Sequence, residues 1–274
     1  MQQRTLAFIG AGNMSRSIIA GLIQAGYPAE RIIAANPSRP KLDELASQFG
    51  IRITQDNAEA AREAEVIVLA VKPQLMAGML TALVAELGSL DGKLLISIAA
   101  GIRVARLQEM AGGHDRIIRT MPNTPSLLGL GMTGLYAPPA IGQADRAVAE
   151  QMMQSVGKTL WVDEEAGING VIAAAGSAPA YFFLFMQGIA EEAEAMGFSP
   201  EQARLLVQQT ALGAAAMVEQ NPELALQTLR EQVTSKGGTT AEAINTFQQQ
   251  GLMPLTAQAM QAAVTRATEM ETLF

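Results

Sequence analysis

The sequence predicts an α/β protein, with an N-terminal half built on a doubly wound, mostly parallel sheet and an all-helical C-terminal half. Three features of the chain point to this. Val66-Ile67-Val68-Leu69-Ala70-Val71 and Leu94-Leu95-Ile96-Ser97-Ile98 are apolar without alternation, as strands covered by helices on both faces must be. Short apolar runs alternate with amphipathic stretches, the pattern of strand-helix-strand units. After Trp161 the β-branched runs stop, and long alanine-rich stretches punctuated by Gly, Pro and Ser take over. The expected division is therefore 1–161 and 162–274.

Strands are expected at 6–10, 31–35, 51–54, 66–71, 94–98 and 117–120. The first runs into Phe8-Ile9-Gly10-Ala11-Gly12-Asn13-Met14-Ser15. Gly10 and Gly12 stand after a strand and before a helix, where glycine permits a tight turn and lets backbone approach a pyrophosphate. Asn13 and Met14 open the helix, whose free amides and dipole favour an anion. This is a Rossmann-like turn, with Ser15 at the third small position; a glycine turn without a ligand is the alternative. At the end of the second strand, Ala35-Asn36-Pro37-Ser38-Arg39 lacks the carboxylate that an NAD site uses for its ribose. Asn36, Ser38 and Arg39 instead offer donors suited to a 2'-phosphate, so NADPH is the expected cofactor and NADH the second candidate. Arg39 has a plainer reading as a solvated first-turn residue. Lys72, after the fourth strand, would meet phosphate or a substrate carboxylate, or be a surface lysine. Ala99-Ala100-Gly101, after the fifth, would let a nicotinamide lie against backbone, or simply pack tightly. Met121-Pro122-Asn123-Thr124-Pro125 follows the sixth strand at the same edge of the sheet.

In the C-terminal half, breaks at 197–200, 221–222, 235–238 and 251–254 suggest about five helices, with Pro200 and Pro222 in first turns. From Gly170 to Ala190 no residue is charged, a length that would cross a bilayer. Acidic residues flank it on both sides, the opposite of a cationic anchor, so it reads as a helix buried between two subunits. In Thr234-Ser235-Lys236-Gly237-Gly238-Thr239-Thr240-Ala241-Glu242, Thr239 and Glu242 have capping-box spacing, which predicts a helix start. It would be a cap alone, or a receptor for a substrate carboxylate beside Gly237 and Gly238.

Composition narrows the chemistry. The 274 residues include no cysteine and one histidine, His114, which excludes thiolate catalysis and cysteine-ligated metals and leaves the commonest zinc sites unbuildable, so no metal is expected. A net charge of -7, with no basic run, argues against a nucleic-acid partner. The N-terminus lacks the form of a signal peptide, so the cytoplasm is the expected location. From residue 162 onward there is no histidine and one lysine, Lys236. Ketone reduction usually calls for a positioned proton carrier, whereas an imine is more basic, can arrive already protonated, and then needs mainly orientation and a partner for its nitrogen. A threonine hydroxyl would serve.

The strings GAGNM, LAVKP, SIAAGI, RTMPNTP, AGSAPAY and SKGGTTAEA, in that order over nearly the whole chain, resemble the pyrroline-5-carboxylate reductases. The resemblance implies hydride transfer from NAD(P)H to L-1-pyrroline-5-carboxylate, giving L-proline as the last step of proline biosynthesis. It implies interlocked homodimers through the C-terminal helices, sometimes assembled into larger rings. Thr240 would hydrogen-bond the ring nitrogen, while Ser235, Gly238, Thr239 and the backbone of Thr240 hold the carboxylate. Asn57, Ala70, Val71, Lys72 and Ala100 would join the cofactor site, with Glu165 and Glu219 near the substrate. Lys236 stands where the family usually has proline, and Ala178 where it often has glycine. A β-hydroxyacid dehydrogenase would need a lysine on the first helix after the dinucleotide domain, and none is there. A non-catalytic NADP-binding protein would keep the glycine turn without needing the string from Ser235 to Thr240.

Overall fold

A computed structural model describes residues 3–274. The six expected strands form, with ends within two residues of expectation: β1 (Leu6–Ile9), β2 (Ile32–Ala35), β3 (Arg52–Thr54), β4 (Val66–Leu69), β5 (Leu94–Ser97) and β6 (Ile117–Met121). They run in the order β3-β2-β1-β4-β5-β6 with every neighbouring pair parallel. The order turns between β1 and β4, where connections leave on opposite faces and a crevice opens at the carboxyl ends. Helices α1 (Asn13–Gln24), α2 (Arg39–Phe49), α3 (Asn57–Glu63), α4 (Pro73–Leu87), α5 (Val104–Met110) and α6 (Gln143–Gln154) complete this half. Successive residues of a strand point to opposite faces. Leu6 and Phe8 of β1 accordingly join a core with Ile18, Leu22 and Val68, while Ala7 and Ile9 join a second with Ile67, Met76 and Leu80. The continuous apolar runs are the outcome of this two-sided burial.

Two strands lie outside the expectation. β7 (Gly131–Tyr136) pairs antiparallel with β6, and β8 (Gly157–Trp161) pairs parallel with β7, closing an eight-stranded mixed sheet. Their sequences, GMTGLY and GKTLW, are poor in the branched residues that mark strands. Packing requires this: a Cβ on Gly134 would lie 2.8 Å from Val171 Cγ1.

The helical part consists of α7 (Gly167–Val171), one π turn (Ile172–Gly176), α8 (Ala178–Ala195), α9 (Pro200–Gln220), α10 (Leu226–Gln232), α11 (Thr239–Gln249) and α12 (Leu252–Met270). The breaks at 197–200, 221–222 and 235–238 fall where the punctuation placed them, whereas of 251–254 only Gly251 lies outside a helix, α12 beginning at Leu252. Pro200 is the first residue of α9, behind a Ser199–Gln202 capping box. Pro222 is not a first-turn residue. It sits in a turn closed by the Leu224 N–H on Asn221 O, and α10 begins only at Leu226. In the π turn the Ser177 N–H donates to Ile172 O at 2.7 Å. Pro179 has no N–H for the carbonyl four residues before it, and Asn123 Nδ2 donates to that Ala175 O at 3.0 Å instead.

By packing, the chain divides into a unit running through Ser177 with Ala263–Phe274, and a unit of Ala178–Ala262. This division differs from one at residue 161 because Ile168, Asn169 and Val171 of α7 are buried within the first unit. In the second unit Phe185 and Phe247 pack ring to ring, 5.7 Å between centroids. Along α8, however, Phe182, Phe183 and Leu184 are 64%, 65% and 69% exposed, so the helix expected to be buried is not covered by its own chain. The helical run 167–195 is also long and apolar enough to cross a membrane. Covering each such side chain is worth about 1.5–3 kcal/mol, which makes self-association the expected remedy. Sedimentation at micromolar concentration should give at least a dimer, and a monomer there would contradict the reading.

Candidate active site

The turn after β1 is built against the neighbouring strands. Gly10 N–H donates to Ala35 O at 2.8 Å, and Gly10 has φ +111°. A Cβ on it would lie 2.5 Å from Ala70 O and 3.2 Å from Val71 N, so only glycine fits. Ser15, fully buried, donates from Oγ to Gly10 O at 2.6 Å, which gives the third small position a hydrogen bond as well as tight packing. Gly12 differs from Gly10. It is the N-cap of α1 at φ −84°, and a Cβ there would meet none of the described residues beyond its chain neighbours within 4 Å. Its lack of a side chain serves nothing inside the protein and leaves the first amides of α1, at Asn13 and Met14, open to an anion. A dinucleotide pyrophosphate fits that cradle.

Beside it, Asn36 Oδ1 accepts from Ala11 N–H at 3.3 Å, and its Nδ2 donates to Ser38 O at 3.1 Å. One amide thus ties the glycine turn to the loop after β2. Gln55 Nε2, donating to Pro37 O at 2.7 Å, braces the same loop, a contribution the sequence reading missed. Arg39 opens α2, is exposed, and pairs with Asp43 at 2.7 Å. Such a surface pair is weak and readily exchanged for a phosphate. Asn36→Asp would keep the acceptor for Ala11 while replacing the amide with a carboxylate. It should shift preference from NADPH toward NADH by about tenfold, or 1.4 kcal/mol. No shift in the ratio of the two kcat/KM values would mean that Asn36 does not face the ribose.

The remaining cofactor candidates stand after the carboxyl ends of the next strands. Asn57 opens α3 behind Asp56, whose Oδ1 accepts from the Ala58 and Glu59 amides. Ala70 and Val71 lie against Gly10, Lys72 is exposed ahead of Pro73, and Ala100 lies in the loop after β5. Gly101 is explained by packing: its φ is +74°, and a Cβ would lie 3.0 Å from Met270 Cβ.

In the second unit, α11 starts at Thr239 with Gly238 as its N-cap, so the Thr239–Glu242 capping box does not form. Thr239 is already helical, and the helix start carries no side-chain cap. Gly238 N–H donates to Ser235 O at 3.0 Å, and a Cβ on Gly238 would lie 2.5 Å from Ser235 Oγ. This close approach puts the Ser235 hydroxyl beside open amides flanked by Thr239 and Thr240, all three side chains exposed. Uncapped amides with hydroxyls around them suit a carboxylate. Lys236 is exposed in the same loop.

The two carboxylate candidates differ. Glu219 is exposed near the end of α9. Glu165 is half-buried, and its Oε1 accepts from Val104 N–H at 2.7 Å and from Arg119 Nη1 at 3.0 Å. Arg119, buried in β6, went unnoticed in the sequence, although an arginine inside an apolar strand is itself a signal. A further charge cluster, Asp145 with Arg4 and Arg116, lies at the opposite, amino edge of the sheet. Burial there pushes the Tyr27 phenol up to about 12 and lowers Lys93. Burial opposes the charge on Asp145, but hydrogen bonds from Arg116 and Arg4 outweigh it and hold the carboxyl below its usual value. A polar concavity of about 300 Å3 opens at that edge, away from the crevice, and its arginines are committed to folding contacts with Asp145 and Gly92.

A family model described as pyrroline-5-carboxylate reductase dimerisation matches residues 165–270, and one described as NADP oxidoreductase, coenzyme F420-dependent, matches residues 5–101. A pyrroline-5-carboxylate reductase of Vibrio alginolyticus is 57% identical over 274 residues, covering 100% of both chains. The solved structure of such a reductase from Coxiella burnetii matches with a TM-score of 0.93 at 40% identity, covering 98% of this chain and 99% of that one. A Plasmodium falciparum pyrroline carboxylate reductase solved with NADP bound matches with a TM-score of 0.85 at 28% identity, covering 99% of each.

Proposed function

Because the chain belongs to the pyrroline-5-carboxylate reductases, we propose a division of labour among its residues for reducing L-1-pyrroline-5-carboxylate to L-proline, the final step of proline biosynthesis. It is an NADP-using oxidoreductase. The observation that carries the residue assignment is the contrast between Gly10, locked against Ala70, and Gly12, open to an incoming anion. Gly10, Gly12, Asn13 and Met14 receive the pyrophosphate. Asn36, Ser38 and Arg39 recognise the ribose and its 2'-phosphate, and Asn57, Ala70, Val71, Lys72 and Ala100 line the rest. NADPH, when bound, supplies the hydride.

The substrate carboxylate is held by Ser235, Thr239 and the amides at the uncapped start of α11, with Gly238 leaving room for it. Thr240 Oγ1 accepts from the N–H of the protonated imine, which orients the ring without a tuned base. Glu219 is a further candidate near the substrate. The roles thus divide into a cofactor half, 1–161, and a substrate and dimerisation half, 162–274. The functional form we propose is a homodimer through the C-terminal helices, with a larger ring of dimers and a cytoplasmic location as further parts of the proposal.

A spectrophotometric panel tests the reading. Purified protein should oxidise NADPH faster than NADH when pyrroline-5-carboxylate is present, and neither without it. Cofactor binding with no turnover of the imine would point to a non-catalytic NADP-binding protein instead.

A further inference from the structure

Taking the carboxyl edge as the place where NADPH binds, we propose that Glu165 and Glu271, gathered by Arg119, are positioning residues for the loop between β5 and α5 that meets the nicotinamide. The start of that loop is held by the sheet. Ile98 N–H donates to Leu69 O at 3.2 Å, and Thr120 Oγ1 donates to Ser97 O at 3.0 Å. Its far end has no such ladder, and Glu165 takes over by accepting the Val104 N–H at 2.7 Å. Arg119 Nη1 grips Glu165 Oε1 and Glu271 Oε1, both at 3.0 Å, and Arg103 Nε lies 3.4 Å from Glu271 Oε2. Next to this, Met270 Cβ sits against Gly101. β6, the segment before α7 and the turn after α12 therefore converge on one loop.

Stability alone is a poor explanation of the cluster. The Arg119 side chain is 1% exposed, and its Nη2 has no hydrogen-bond partner among the described residues. Burying a guanidinium with an unpaired arm is costly, and apolar packing in its place is often as stable. Fixed geometry is what the arrangement supplies. Two carboxylates and two guanidiniums balance in charge, and each contact ends on the loop or on a residue that holds it. Glu165 thereby acts on the cofactor through Val104 and does not touch the substrate.

The test compares Glu165→Ala with Glu165→Gln, whose Oε1 can still accept from Val104. Three readings are taken: steady-state kinetics, NADPH affinity by fluorescence titration, and amide hydrogen exchange over residues 98–104 in cofactor-free protein. Glu165→Ala should lower kcat by about 10- to 100-fold through misplacement of the reacting groups. It should speed exchange in the loop and leave NADPH affinity and the imine KM nearly unchanged, while Glu165→Gln recovers most of the loss. If the alanine variant does not fold, Glu271→Gln should show the same pattern more weakly. A raised imine KM with kcat intact would overturn the proposal by making Glu165 a substrate contact. A lowered melting temperature with loop exchange unchanged would overturn it by making the cluster merely structural. Wild-type turnover in the same assay tests the enzyme assignment, and exchange in the cofactor-free protein reads the clamp even if that assignment fails.

Discussion

Gly12→Ala is expected to leave the protein folded and to weaken NADPH binding by about 10- to 100-fold, the worth of one or two charge-assisted hydrogen bonds. The position allows this separation because Gly12 has φ −84°, which alanine adopts freely, and its added Cβ would touch none of the described residues beyond its chain neighbours within 4 Å. Any cost therefore falls on the pyrophosphate and the amides that approach it. Gly10→Ala should behave in the opposite way. With φ +111° and a Cβ 2.5 Å from Ala70 O, the substitution strains the fold itself, by about 1–3 kcal/mol from the backbone conformation before the clash is added. Fluorescence titration with NADPH and thermal melts of both variants separate the two roles. Unchanged NADPH affinity in Gly12→Ala would remove the glycine turn from the cofactor site.

For Thr240→Ala the expected result is a fall in kcat of about 100-fold, in the range found when a positioned hydrogen-bonding group is removed from the reacting atoms. NADPH affinity should stay nearly intact, because Thr240 belongs to the compact unit that does not carry the glycine turn. The side chain is exposed in the second position of α11, so the folded state should lose little, within about 0.5 kcal/mol. Thr240→Ser keeps the hydroxyl and should recover much of the rate. Turnover equal to wild type in Thr240→Ala would take Thr240 out of the reaction, leaving Ser235 and the α11 amides as binding groups only.

Local signals were legible where one residue's conformation or a short period carried them. The runs 66–71 and 94–98 announced central strands because both faces are buried, and Gly10 announced its turn because no other residue tolerates that place. The helix breaks at Pro200 and Gly251 were equally plain. Signals that depend on a partner were not. β7 and β8 carry glycines that close contacts demand, and those same glycines erase the strand pattern. The Thr239–Glu242 spacing suggested a box that does not form, because Gly238 is the N-cap and Thr239 is already helical. A capping box did form at Ser199, directly ahead of Pro200.

The sequence by itself determined the class of fold, the glycine turn, the absence of a carboxylate after β2 and the hydroxyl-rich start of α11, since each is written within a few consecutive residues. Only the tertiary structure decided that Asn123 takes the place of the missing Pro179 amide and that Glu165 caps Val104 rather than standing free. It alone brought Arg119 to Glu271, 152 positions away. Side chains so far apart in the chain leave no shared period or spacing, and their pairing exists only once the sheet and the last turn of the chain have packed.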